Sequence, residues 1–183
     1  TTIRTLLGLI APTAGRAEVL GLDCVRDRTA ILAQVGYMPS EAMFYPSMKV
    51  RELIQMAARI RKKDCRAEAE KLCSRLQLDL DKKICDLSLG NRKKAGIVCA
   101  MQHKPKLFVF DEPTSGLDPL MQSEFFKLIE EYVAEGATCM LSTHVLSEIK
   151  SYCRTAAIMK EGKLQCMDTV ENLTRTNTKR VKL

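Results

Sequence analysis

Residues 107–119, Leu-Phe-Val-Phe-Asp-Glu-Pro-Thr-Ser-Gly-Leu-Asp-Pro, constrain this chain more than any other stretch. Leu107-Phe108-Val109-Phe110 is a compact apolar run with turn residues after it. Such a run reads as a central strand of a parallel sheet, covered on both faces. It delivers two adjacent carboxylates, Asp111 and Glu112, to the C-terminal end of the strand. Open α/β sheets bind their ligands at that edge. Neighbouring side chains on a strand point to opposite faces, so the two acids are expected to do different jobs. One can hold a hydrated magnesium ion, and the other can orient or deprotonate a water. An apolar run closed by Asp-Glu would, by itself, favour a plain strand and acidic turn; the segment taken whole favours a site.

The rest of the chain supports an α/β reading. Thr2 to Ile10 carries apolar Ile3, Leu6, Leu7 and Ile10 at helical spacing, with Pro12 and Gly15 as the stop. Ala17 to Val25 is short and turn-rich, which suggests small strands. Ile31 to Met38 closes in Val35-Gly36-Tyr37-Met38, a buried strand end before Pro39. From Lys49 to about Leu80 the pattern is helical and charged. Leu120–Ala134 and Ser147–Cys153 read as helices, Thr138–Ser142 and Ala156–Met159 as strands, and Thr178–Leu183 as an interrupted strand. Strands alternating with helices beyond residue 90 predict a parallel sheet, with the Lys49–Leu80 stretch as an insertion.

Composition narrows the functional class. Hydrophobic residues make up 46% of the chain and charged residues 28%, so it is globular and not disordered. The net charge of +7 would permit a nucleic-acid partner, but the basic clusters Arg59–Lys63, Arg92–Lys94 and Lys179–Lys182 have no aromatics interleaved. They read as solvated faces. The eight cysteines contain no Cys-x-x-Cys pair and only two histidines accompany them, which argues against zinc and for reduced core thiols in a cytosol. No signal peptide or long apolar span appears; if the protein works at a membrane, another chain supplies the span.

Phe110-Asp-Glu-Pro-Thr-Ser-Gly-Leu-Asp118 resembles the Walker B and D-loop segment of ATP-binding-cassette (ABC) ATPases. Other motifs follow in that family's order. Leu87-Ser88-Leu89-Gly90-Asn91 resembles the signature, about twenty residues before Walker B. His144 in Ser142-Thr143-His144 resembles the switch histidine, and Val35-Gly36-Tyr37-Met38-Pro39 the approach to the Q-loop. Ser88 reads from its own neighbourhood as a helix N-cap or as part of an anion site at a helix N-terminus. His103 sits in a polar loop and receives no role.

The resemblance implies a P-loop NTPase α/β core, a small β portion before residue 39, a helical subdomain at 49–90 carrying the signature, and a core segment at 91–165. It implies that ATP and Mg²⁺ are bound. Asp111 holds the metal through water, Glu112 polarises the attacking water and His144 secures the γ-phosphate. Two such domains close head to tail, so that Ser88 and Gly90 of one meet the γ-phosphate held by the other, with Ser115, Gly116 and Asp118 at the seam. Three departures from the family pattern matter. Ser40, followed by Glu41, stands where the Q-loop glutamine is usual. Leu89 and Asn91 replace a glycine and a glutamine of the signature. The Gly-x-x-x-x-Gly-Lys-[Ser/Thr] loop is absent, and Thr1–Leu9 matches its helical continuation. Thr1 and Thr2 then fall in the first turn of that helix, near the α-phosphate, or Thr1 is itself the magnesium-binding hydroxyl. The 183-residue chain alone is accordingly expected to bind ATP weakly or not at all, and to be inactive by itself.

The Tyr45–Leu53 stretch and the short signature resemble bacterial single-domain ATPases of the multidrug and antibiotic export type. That implies a second nucleotide-binding domain and an integral-membrane permease as partners, at the inner face of the cell membrane, with nucleic acid disfavoured. The alternatives are a soluble ABC-type ATPase of translation or repair and a non-catalytic assembly module. Met43-Phe44-Tyr45, unusually apolar for a loop, is expected to dock the permease.

Overall fold

The computed structural model describes residues 1–41 and 43–177. The strand expected at Thr178–Leu183 and the Lys179–Lys182 cluster lie outside the described residues. In chain order the elements are α1 (Thr2–Leu6), β1 (Glu18–Val19), β2 (Leu22–Asp23), α2 (Arg28–Gln34), β3 (Val35–Met38), α3 (Val50–Ile60), α4 (Arg66–Arg75), a 3-10 turn (Ile84–Asp86), α5 (Leu89–Met101), β4 (Leu107–Asp111), α6 (Pro119–Ala134), β5 (Thr138–Ser142), α7 (Leu146–Tyr152), β6 (Thr155–Lys160), β7 (Lys163–Thr169) and α8 (Val170–Asn177).

β3, β4 and β5 form a parallel sheet with β4 in the middle. The aromatic residues of β4 explain its position. Phe108 and Phe110 share one face, where Phe110 meets Phe125 edge-on at 5.2 Å and Phe108 meets Tyr132 at 5.3 Å. Both partners lie on α6. Val109 turns to the other face and packs with Ile3, Leu7, Ile31 and Val35. A strand covered on both faces in this way carries the near-continuous apolar run seen here. α6 itself is set by its ends: the Asp118 side chain accepts the Met121 N–H at 3.0 Å, and Pro119 occupies the first turn.

The helices between residues 50 and 75 do not carry a separate core. Leu53, Ile54, Leu72 and Leu76 belong to the same cluster as Phe108, Phe110 and Phe125. Arg75 binds Glu124 and Glu131, each at 2.5 Å, and so ties α4 to α6. Cys24, Cys65 and Cys73 are buried free thiols. Burial pushes the Cys73 thiol up to about 11, so it behaves as a small hydrophobe.

Several boundaries differ from expectation. α1 stops at Leu6 and does not reach Ile10, because Gly8 turns the chain at φ +65°. Ile31–Gln34 closes α2, and only the last four residues of that stretch form β3. Arg92–Lys94 is not a solvated face: Lys93 and Lys94 are buried. His103 is also buried, and its imidazole is pushed down to about 4 by burial and by the nearby Arg61.

Phe44 is half-buried and packs on the main core, whereas its neighbours Met43 and Tyr45 are 90% and 67% exposed. Docking by Phe44 itself is therefore replaced by a packing role. Phe44→Ala is expected to cost about 2 kcal/mol of stability, below the loss for a fully buried Phe. Met43→Ser and Tyr45→Ser should leave the urea midpoint unchanged. Equal midpoints for all three variants would contradict this division.

Contacts divide the chain into two units, Thr1–Ser142 and Thr143–Leu183. Within the second, β6 was expected to continue the parallel series, but it pairs antiparallel with β7, from Thr155↔Thr169 to Lys160↔Lys163. Glu161 and Gly162 join the two strands with φ of +51° and +73°. A two-residue connection of this kind makes a hairpin and cannot make a parallel crossover. Among the described residues, no helix is long and apolar enough to cross a membrane.

Candidate functional site

β4 ends at Asp111, in register with Ser142 at the end of β5. The Ser142 hydroxyl donates to the Asp111 carboxylate through a very short hydrogen bond, and the Glu112 N–H donates to the Ser142 carbonyl at 3.0 Å. Asp111 is half-buried. A carboxylate held at a strand end by a hydroxyl is a hard oxygen donor set that fits a hydrated magnesium ion. Glu112 is not part of the strand: its φ is +49°, in the left-handed region. Strand alternation therefore does not separate the two acids. The backbone turn does, at a conformation that costs an ordinary residue on the order of 1 kcal/mol or more. Strain of this kind gathers at functional sites.

Beneath the turn lies Lys93 of α5, a residue that sequence reasoning passed over. It is 3% exposed, and its Nζ donates to the Glu112 carbonyl at 2.5 Å. Burial lowers its basicity, while the charges of Glu112 and Asp111 raise it. The signal was present in the spacing. Gly96, Ile97 and Ala100, three, four and seven residues on, are all buried, so Lys93 shares the inward face of the helix.

The first turn of α5 also touches the segment that follows Glu112. Ser88 caps the helix by accepting the Asn91 N–H at 3.3 Å, yet stays exposed. Its N-cap role is thus present in the structure, and its hydroxyl and the turn after it face solvent, where an anion can approach. A Cβ at Gly90 would fall 2.6 Å from the Gly116 carbonyl oxygen. A Cβ at Gly116, which sits at φ +81°, would fall 3.1 Å from Cδ2 of Leu89. The two backbones meet with no room for side chains, and Leu89, still 57% exposed, lies across the junction.

The remaining expected residues distribute as follows. Ser115, Gly116 and Asp118 are exposed on the turn after Glu112, and Asp118 is occupied as the cap of α6. β3 pairs Met38 with Phe110, so Ser40, two residues further on, leaves the sheet at the same edge as Glu112. Thr1 and Thr2 are exposed at the start of α1, with no side-chain cap hydrogen bond from Thr1. His144 is exposed and belongs to the second unit. Its loop is held by Thr143, which donates to Glu148 at 2.7 Å and accepts the Val145 N–H at 3.0 Å. The structure brings together Asp111, Glu112, Ser88 and Gly90 within one unit, joined by Lys93 and the Gly90–Gly116 contact. Ser142, like Lys93, was missed; a hydroxyl closing an apolar strand was its trace in the sequence.

The ABC transporter family model matches residues 1–115. The chain is 36% identical, over 98% of its length, to a bacitracin transport ATP-binding protein, BcrA, of Bacillus licheniformis. It is 31% identical, over 94% of its length, to a probable multidrug ABC transporter ATP-binding protein, YbhF, of Escherichia coli K12. It spans 60% of the first relative and 31% of the second. The fold superposes on a solved ATP-binding subunit of an ABC transporter with a TM-score of 0.88 at 28% identity, covering 99% of this chain and 78% of that one.

Proposed function

Since the chain belongs to the ABC transporter family, whose members bind ATP, we propose that it is the ATP-hydrolysing part of a transporter that moves its substrate through a separate membrane permease. One observation carries the reading: an acidic turn at the C-terminal edge of a parallel sheet, packed backbone to backbone on the N-terminus of α5. The sheet edge is where an α/β fold presents a ligand to its strand ends. The exposed helix N-terminus is where a second anionic group is met.

The roles follow from position. Asp111 would hold a hydrated Mg²⁺, which neutralises charge on the phosphates. Glu112, raised out of the strand by its left-handed backbone, orients and deprotonates the attacking water. Ser88 and the N–H of Gly90 face the γ-phosphate carried by a second copy or a related domain, and His144 secures the γ-phosphate in its own. Ser115, Gly116 and Asp118 form the seam. Thr1 and Thr2 start the helix that follows the phosphate loop, and Ser40 or Glu41 stands in for the Q-loop glutamine. Residues 49–90 act as the helical subdomain and 91–165 as the core. The permease sits against exposed Met43 and Tyr45 and holds the protein at the inner face of the cell membrane. The similarity to antibiotic and multidrug ATP-binding proteins favours export.

Sedimentation of the full-length protein tests the composite site. Glu112→Gln with Mg-ATP is expected to run at twice the monomer mass, and adding Ser88→Glu should return it to monomer without loss of ATP affinity. A monomer at saturating ATP, or a dimer indifferent to Ser88→Glu, would contradict the reading.

A further inference from the structure

We infer that Lys93 is a positioning residue for Glu112: it fixes the peptide that carries the carboxylate, and it does so from the same helix that presents Ser88 and Gly90, one turn further on. This rests on the proposed ATPase reading. Glu112 stands at φ +49°, a conformation that persists only where the surroundings impose it. Two hydrogen bonds on the Glu112 peptide units impose it. The N–H of Glu112 is held by the Ser142 carbonyl at 3.0 Å, and its carbonyl accepts from Lys93 Nζ at 2.5 Å. The first anchors the residue to the sheet, and the second anchors it to α5. A hydrogen bond from a charged donor, out of reach of water, is among the stronger ones a protein makes.

Lys93 also joins the turn to the start of α5. It lies on the inward face of α5, one turn from the Gly90–Gly116 contact, where a Cβ would approach the Gly116 oxygen to 2.6 Å. α5 therefore grips the turn at both ends, at the Glu112 carbonyl and at the Gly116 carbonyl. A shift of the helix start on phosphate contact cannot occur without moving the peptide that bears the Glu112 carboxylate. The charged groups that face Lys93 are Asp111 and Glu112. Its ammonium also offsets two carboxylates brought close together at a strand end.

The test compares Lys93→Met, which keeps the length and removes the donor, with Lys93→Arg, which restores a charged donor. Both are made in the full-length protein. Lys93→Met should lower kcat for ATP about 10- to 100-fold, the scale of a misplaced catalytic group, with KM within about twofold of wild type. Lys93→Arg should recover most of that loss. A second readout needs no turnover. In the nucleotide-free protein, amide exchange of the 112–117 segment, read at Glu112 and Leu117, should quicken at least about tenfold in Lys93→Met while the Phe108–Phe110 amides hold their rate. Unchanged exchange in that segment, or equal quickening throughout β4, would overturn the role of Lys93. Wild-type protein that does not hydrolyse ATP would overturn the ATPase reading itself, whatever the exchange shows.

Discussion

Glu112→Gln in the full-length protein is expected to lower ATP turnover by about 10²–10⁴-fold, the range for loss of a positioned general base, with ATP affinity nearly unchanged. The substitution keeps the size and shape of the side chain and removes only its charge and basicity. The backbone that aims it is held through its own N–H and carbonyl, by Ser142 and Lys93, and neither bond involves the carboxylate. The variant should therefore fold and bind as the wild type does and fail at the chemical step. Asp111 gives a contrast. It shares a hydrogen bond with Ser142, so changing it disturbs the sheet end as well as the magnesium position proposed for it. Glu112 is the cleaner probe of hydrolysis.

Gly36→Ala is expected to destabilise the protein by about 3 kcal/mol, at the upper end of the usual cost of overpacking. Gly36 sits in β3 where the end of α5 crosses the sheet. A methyl group there would fall 2.1 Å from the Ala100 carbonyl oxygen and 2.8 Å from Cγ of Pro105. The nearer atom belongs to the backbone of a buried helix and cannot swing aside, so β3 and α5 must separate. Separation would also pull on the Lys93 and Gly90 contacts further along α5. Chemical denaturation should show a lower midpoint with an unchanged slope. A midpoint equal to wild type would mean that the helix and sheet do not meet as closely as described.

The parts of this fold that were legible in the sequence are those where composition and position agree. β4 was visible because four apolar residues end in two acids, and α6 because Asp118-Pro119 is a helix start in itself. The hairpin of β6 and β7 was misread because Ala156–Met159 carries the same apolar character as a buried parallel strand. The decisive feature is the short Glu161-Gly162 turn, which forbids a crossover. The C-terminal helix α8 escaped because Val170–Asn177 is mostly polar and short.

The candidate site was legible by residue type and less so by geometry. Asp111 and Glu112 stood out as a pair, but their separation by strand alternation failed, since the strand ends between them. Lys93 was hidden because lysine in a basic cluster ordinarily points to water, and only the burial of the whole α5 face turns it inward. Phe44 was misassigned for the opposite reason. Three apolar residues in a loop look like one patch, yet the chain there sends one inward and leaves its two neighbours exposed.

The central claim, that this fold hydrolyses ATP through the Asp111–Glu112 turn, is tested most directly by phosphate release from the full-length protein with Mg-ATP, wild type beside Glu112→Gln. The expected result is turnover in the wild type that stops on chelation of the metal and is nearly absent in the variant, with both proteins binding ATP equally. Turnover by Glu112→Gln at the wild-type rate would contradict it.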